Sequence, residues 1–201
     1  MLNIAKIELA SAAEVEGHFS DVIYFQGCYR NCNYCFNPGL KIIGGGVWST
    51  VDDIINSLSS LSDVVVFSGG EPLSQFNDAM RELITKLKLK GKSVVLHTAA
   101  FHSDAFTWFD KVLLCIKTWE YDENFIRFSQ HRYANNMYPL VIPVVVVNHR
   151  QFNWRGFKYL LTRLDHLHIR YKDDKLFDSR KIYKTLKNYK KQLLVFKKLW
   201  I

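Results

Sequence analysis

Residues 25–38 read FQGCYRNCNYCFNP, and Cys28, Cys32 and Cys35, three of the chain's four cysteines, fall within this stretch. Their spacing is Cys-x3-Cys-x2-Cys, directly after the apolar run Val22 to Phe25, which reads as a strand. A short loop can wrap three thiolates around one iron–sulfur cluster, because each sulfur can reach a different iron. Three ligands on a four-iron cluster leave one iron open to a small molecule, as in a catalytic rather than a structural metal site. The same residues admit a structural zinc if a fourth ligand is found, and Cys115 or His18 could supply it. Cys115, however, lies in the apolar run VLLCI, where a buried cysteine acts as a small hydrophobe. A disulfide is disfavoured by the odd cysteine that it would leave over. On these residues alone, cluster and zinc both stay open.

Outward from this loop, apolar β-branched runs alternate with amphipathic stretches. Ile4 to Leu9 and Val22 to Phe25 read as the first two strands. Thr50 to Leu61 has helical spacing, with Thr50 or Ser49 as cap and Asp52 and Asp53 in the first turn. Val64 to Phe67 is a short buried strand, and helical spacing returns from Ser74 to Lys90, where Gly91 stops it. Strands are expected at Ser93 to Leu96, Val112 to Ile116 and Leu140 to Val147, with helices near Asp104 to Phe109 and Asp122 to Gln130. Pro143 within that last strand implies a bulge or an edge. Phe157 to Leu164, Leu167 to Arg170, Ser179 to Lys190 and Leu193 to Phe196 continue the alternation. This rhythm predicts an α/β fold, a parallel sheet covered by helices, whose ligands sit at the carboxyl ends of the strands. About six β/α units suit a curved, partial barrel.

With 201 residues, 48% of them apolar, and no linker or repeat, the chain reads as a single domain over 1–201. Its longest apolar runs are strand-sized, and the N-terminus lacks the blocks of a signal peptide, so a cytoplasmic location with reduced thiols and no membrane is expected. The formal charge is +8, much of it between Arg180 and Lys198. RKIYKTLKNYKK spaces its apolar residues helically, so the charge reads as a solvated lysine-rich face rather than a nucleic-acid site.

A second motif, VVVFSGGEPLSQ from Val64 to Gln75, ends a strand and opens a helix. Gly69 and Gly70 remove side chains so that backbone can come close to a ligand, and Glu71 offers an anionic acceptor for an ammonium group. Alone, this is an ordinary strand-to-helix turn. Together, the two motifs in this order resemble the radical S-adenosylmethionine (SAM) superfamily. Tyr34 holds the aromatic position before the third cysteine, and Asn37 and Pro38 follow as in the activating enzymes of glycyl radical enzymes. VVLHTAAF, Val94 to Phe101, and KVLLCIKT, Lys111 to Thr118, are similar to that group's fourth- and fifth-strand segments, keeping only Thr98 and Lys117. His166 and His168 lie near the expected last strand, where some relatives place a cofactor-contacting histidine; they read here as partly exposed strand-end histidines.

The resemblance implies a partial (β/α)6-like barrel of the radical SAM type. It implies a [4Fe-4S] cluster on Cys28, Cys32 and Cys35, with SAM chelating the open iron. Tyr34 and Phe36 would flank the adenine, Gly69, Gly70 and Glu71 would hold the methionine end, and Thr98 and Lys117 would add contacts. One electron from a flavodoxin- or ferredoxin-like donor would then cleave SAM to a 5′-deoxyadenosyl radical. The substrate expected is a glycine in a glycyl radical enzyme such as the anaerobic ribonucleotide reductase. The alternatives are a radical enzyme acting on a small molecule or nucleotide, such as a 7-carboxy-7-deazaguanine synthase, and a non-catalytic zinc- or cluster-binding module.

Overall fold

The computed structural model describes residues 1–12, 14–15, 17–30, 32, 35, 37–100, 102–116, 126, 139–147, 153–163, 168–172 and 196–199. They fall into two compact units, Met1–Leu113 and Leu114–Ile201.

In the first unit, β1 (Leu2–Ser11), β2 (Ser20–Phe25), β3 (Val47–Ser49), β4 (Val64–Gly69), β5 (Ser93–Thr98) and the start of β6 (Lys111–Ile116) form a sheet in the order β3-β1-β2-β4-β5-β6. The β2–β4 and β4–β5 pairs are parallel, as the buried apolar runs predict. Strands β1 and β3 depart from that expectation: both pairs they make are antiparallel, forming the margin of the sheet. In β1 the first residues Leu2, Asn3 and Ile4 are buried, and from Ala5 to Glu8 half-buried residues alternate with exposed Lys6 and Glu8, leaving one face of that stretch in water. The core is built by Val22, Ile23, Phe25, Val65, Val66, Phe67, Leu96 and the helix residues Met80, Leu83, Ile84 and Leu87, all buried. Phe25, Phe67 and Phe109 form an aromatic run, with ring centroids 5.1 and 5.6 Å apart.

Two helices are shorter than their periodicity suggests. Helix α1 spans Val51–Asn56, not Thr50 to Leu61. Thr50 caps it with a full capping box to Asp53, but the buried Asp21 carboxylate then takes the Ser59 N–H at 2.7 Å and the Ser62 hydroxyl at 2.7 Å. These serines satisfy a buried acid from β2 and so leave the helix. Helix α2 begins at Asp78 and runs to Leu89; the preceding Pro72–Gln75 forms a 3-10 turn instead. Asn77 supplies the cap, accepting from Met80 N–H at 3.1 Å. Gly91, at φ +75°, ends the helix as expected. A four-residue helix α3, Ser103–Phe106, precedes β6.

The second unit contains β7 (Leu140–Val147), α4 (Trp154–Arg163), β8 (His168–Lys172) and β9 (Phe196–Leu199). Both β7–β8 and β8–β9 are parallel. Strand β7 passes through Pro143, and its register with β8 begins at Val144, so the missing N–H falls outside this ladder. Phe157, Leu160 and Leu161 of α4 are buried, as are Val141, Val144 and Val145 of β7. The expected helices at Asp122 to Gln130 (apart from the buried Ile126) and at Ser179 to Lys190 lie outside the described residues. The protein is thus α/β with mostly parallel strands. No helix among the described residues is long and apolar enough to cross a membrane.

Candidate cluster and cofactor site

Strand β2 delivers the cysteine loop from its carboxyl end, and the loop is closed at its base by backbone. Gly27 N–H donates to Leu40 O at 2.8 Å and Cys28 N–H to Lys41 O at 3.3 Å, so the return segment runs beside the outgoing one. The Gln26 side chain is buried and donates to Gly39 O at 3.1 Å and Ile42 O at 2.7 Å. Lys41 reaches back into the loop, its Nζ donating to Cys32 O at 3.0 Å. Cys35 N–H donates to Cys32 O at 3.2 Å, turning the chain between the second and third cysteines.

The three thiols are partly exposed and close enough to influence one another. Burial pushes the Cys28 thiol up from its ordinary value; the Arg30 backbone N–H opposes this, and the neighbouring Glu71, Cys32 and Cys35 add to it. Crowded negative charge of this kind is what a cationic metal core relieves. Among the described residues, no three His, Cys, Asp or Glu side chains gather on one point as the ligands of a single ion do. Thiolates that each address a different iron need only share a loop, so this donor set fits a cluster. Of the two side chains that could complete a zinc site, His18 is exposed, and Cys115 lies within β6.

The Gly-Gly-Glu motif is zipped onto the start of that loop. Gly69 adopts φ +113°, a conformation that favours glycine, and a Cβ there would lie 2.6 Å from both N and O of Phe25. Gly70 N–H donates to Phe25 O at 2.9 Å, and Glu71 N–H to Gly27 O at 2.9 Å. A Cβ on Gly70 would run into the Gly27 carbonyl and come within 2.8 Å of Leu40 O. The close approach that these glycines permit is, in this structure, that of the cysteine loop's own backbone.

Glu71 turns inward and is 1% exposed. Its Oε1 accepts from Thr98 Oγ1 at 2.5 Å and from Leu73 N–H at 3.2 Å, and its Oε2 accepts from Ala99 N–H at 2.9 Å. Burial raises its carboxyl above the ordinary 4.5, against the pull of these donors and of the Arg30 charge. A carboxylate has about four acceptor positions, so three are already taken and about one is left for a further donor. Thr98 stands at the end of β5, 2% exposed, and also accepts from Ala100 N–H at 2.9 Å. The structure therefore brings Cys28, Cys32, Cys35, Gly69, Gly70, Glu71 and Thr98 to the carboxyl ends of β2, β4 and β5. Tyr34, Phe36 and Lys117 lie outside the described residues, as does His166; His168 is the first residue of β8.

Four residues that the motifs did not single out hold this arrangement: Gln26, Arg30, Lys41 and Gln75. Gln75 accepts from Asn3 N–H at 2.7 Å and donates to Asn3 O at 2.9 Å and Gln26 O at 2.8 Å. Arg30 Nη1 donates to Ala99 O at 3.2 Å, tying the cysteine loop to the end of β5. The sequence signal for Arg30 was its position, as the one charged residue between Cys28 and Cys35.

Residues 16–116, just over half of the 201, match the family described as the 4Fe-4S single cluster domain, and the chain belongs to that family. It is a domain of the radical SAM type, with glycyl radical enzyme activating enzymes among its homologues. A pyruvate formate-lyase-activating enzyme of Clostridium pasteurianum is 30% identical over 107 residues, 48% of this chain and 44% of that one. A 7-carboxy-7-deazaguanine synthase of Methanopyrus kandleri is 28% identical over 134 residues, 55% of this chain and 53% of its own. The matches thus span about half the length of these relatives. Among solved structures, TYW1 with a lysine-pyruvate adduct bound superposes with a TM-score of 0.59 at 11% identity, over 90% of this chain and 76% of that one, which is a likeness of fold.

Proposed function

We propose that this chain is a radical SAM enzyme that activates a glycyl radical enzyme by removing a glycine Cα hydrogen. The observation that carries the reading is the joining of its two motifs: Glu71 N–H is bonded to Gly27 O, one residue before the first cysteine. Cys28, Cys32 and Cys35 would hold a [4Fe-4S] cluster and leave one iron for SAM. When bound, these groups supply the one-electron cleavage that yields a 5′-deoxyadenosyl radical. Gly69, Gly70 and Glu71 would orient the amino end of SAM, with Thr98 fixing the Glu71 carboxylate. Tyr34 and Phe36 would face the adenine, and Lys117 would pair with a carboxylate. The parallel β/α order within each unit supports reading the chain as one domain of the partial (β/α)6 type. A flavodoxin- or ferredoxin-like protein in the cytoplasm would supply the electron.

The protein substrate proposed is an anaerobic ribonucleotide reductase. The reduced, reconstituted chain mixed anaerobically with that reductase and SAM should give a glycyl EPR doublet on the reductase. Methionine and 5′-deoxyadenosine released without any such doublet would remove the substrate assignment and leave the class. The match to a 7-carboxy-7-deazaguanine synthase supports a second reading, a nucleotide-like small molecule as substrate. Formation of 7-carboxy-7-deazaguanine with no glycyl signal would favour it.

A further inference from the structure

Arg30 acts at two places at once. Its backbone N–H is bonded to the Cys28 thiol, while its guanidinium donates through Nη1 to Ala99 O at 3.2 Å. Ala99 is itself fixed, because its N–H is held by Glu71 Oε2 at 2.9 Å. The Tyr29 hydroxyl is also hydrogen-bonded to the Arg30 side chain. A run of contacts therefore leads from the first cysteine through Arg30 to the end of β5 and on to the buried Glu71. The guanidinium stays charged at any working pH, and its planar fork loses little freedom per bond made. Its neighbours in the loop, Tyr29, Asn31, Asn33 and Tyr34, carry no charge that could replace it.

Adding one electron to a cluster held by three thiolates adds one negative charge to a site that is already anionic. A cation held in place nearby favours the reduced form, and N–H donors to the sulfur act in the same direction. We propose that Arg30 is a positioning residue for the cluster, strapping the cysteine loop to the end of β5 and raising the cluster's reduction potential with its fixed charge. This rests on the cluster reading above. Such a residue sets how readily the donor's electron is accepted.

The test uses the full chain, reconstituted anaerobically with iron and sulfide. Iron per chain is measured, and the midpoint is read by EPR during titration with dithionite, which supplies the electron. Arg30→Lys should keep the iron content and a midpoint close to the parent's. Arg30→Gln should take up less iron and titrate at a more negative potential. An Arg30→Gln midpoint equal to the parent's, or an Arg30→Lys midpoint displaced as far as that of Arg30→Gln, overturns the proposal. If Arg30→Gln takes up no iron, Arg30→Lys decides: parental iron and midpoint support the proposal, and an equally empty chain overturns it. A parent chain that itself never binds iron would instead remove the cluster reading, a result distinct from these.

Discussion

Thr98 Oγ1 donates to Glu71 Oε1 at 2.5 Å, joining the ends of two parallel strands through a carboxylate sealed from solvent. Thr98→Val keeps the shape and removes the donor. A buried acceptor attached to an ionisable group then loses one of three partners, and the Ala100 N–H loses its acceptor as well. The expected loss is about 1–3 kcal/mol, read as a lower denaturation midpoint of the metal-free chain. An unchanged midpoint would show that Leu73 and Ala99 suffice to hold Glu71.

The same carboxyl makes stability depend on pH. Burial lifts it above the ordinary 4.5, so between that value and the raised one the folded chain holds a proton that the unfolded chain has released. Its contribution is therefore complete below the unfolded value and is lost as pH rises through the folded one. Glu71→Gln has no such proton. Relative to it, the parent should become progressively less stable on raising the pH from about 4.5 toward neutrality. A parallel pH profile in the two chains would contradict this.

Gly70 should be far more sensitive to alanine than Gly39. A Cβ at Gly70 meets the Gly27 carbonyl and Leu40 O, both parts of the cysteine loop's base, whereas nothing lies within 4 Å of one at Gly39. Gly70→Ala is expected to cost about 1–3 kcal/mol by overpacking and to reduce iron uptake. Gly39→Ala should stay within about 0.5 kcal/mol of the parent, with full iron uptake.

Gln75→Leu removes three hydrogen bonds that tie β1 to the start of the cysteine loop. The Asn3 N–H and the carbonyls of Asn3 and Gln26 lose this partner, for an expected loss of about 1–3 kcal/mol. Amide hydrogen exchange at Asn3 should accelerate, and exchange at buried Leu83 should follow only the global loss.

Serine at Cys28, Cys32 or Cys35 should each abolish retention of a four-iron cluster, measured as iron and sulfide per chain. Alanine at Cys115, within the β6 run KVLLCI, should leave both at the parental level. Equal loss at Cys115 would make it a ligand and would close the open iron on which the proposed chemistry depends.

The Cys-x3-Cys-x2-Cys spacing and the apolar runs before each motif depend on neighbours in the chain, so they were legible from one sequence. So were β2, β4, β5 and the Gly91 stop, each set by local pattern and backbone preference. What periodicity missed was decided by distant partners. Helix α1 ends early because Asp21, 38 residues before Ser59, claims that residue's N–H. Helix α2 starts late, after Gln75 has turned back onto Asn3, 72 positions away. The antiparallel margin made by β1 and β3 is likewise a matter of long-range pairing.

The sequence by itself determined which chemistry the chain can carry: three thiols on one loop, two glycines and an acid at a strand end. Only the tertiary structure decided that the two motifs share hydrogen bonds, that Glu71 is already held by Thr98 and Ala99, and that Arg30 spans from Cys28 to β5. The physical reason is that spacing along the chain limits which ligands a loop can offer. Hydrogen bonds between residues 27 to 69 positions apart exist only once parallel strands have placed their carboxyl ends side by side.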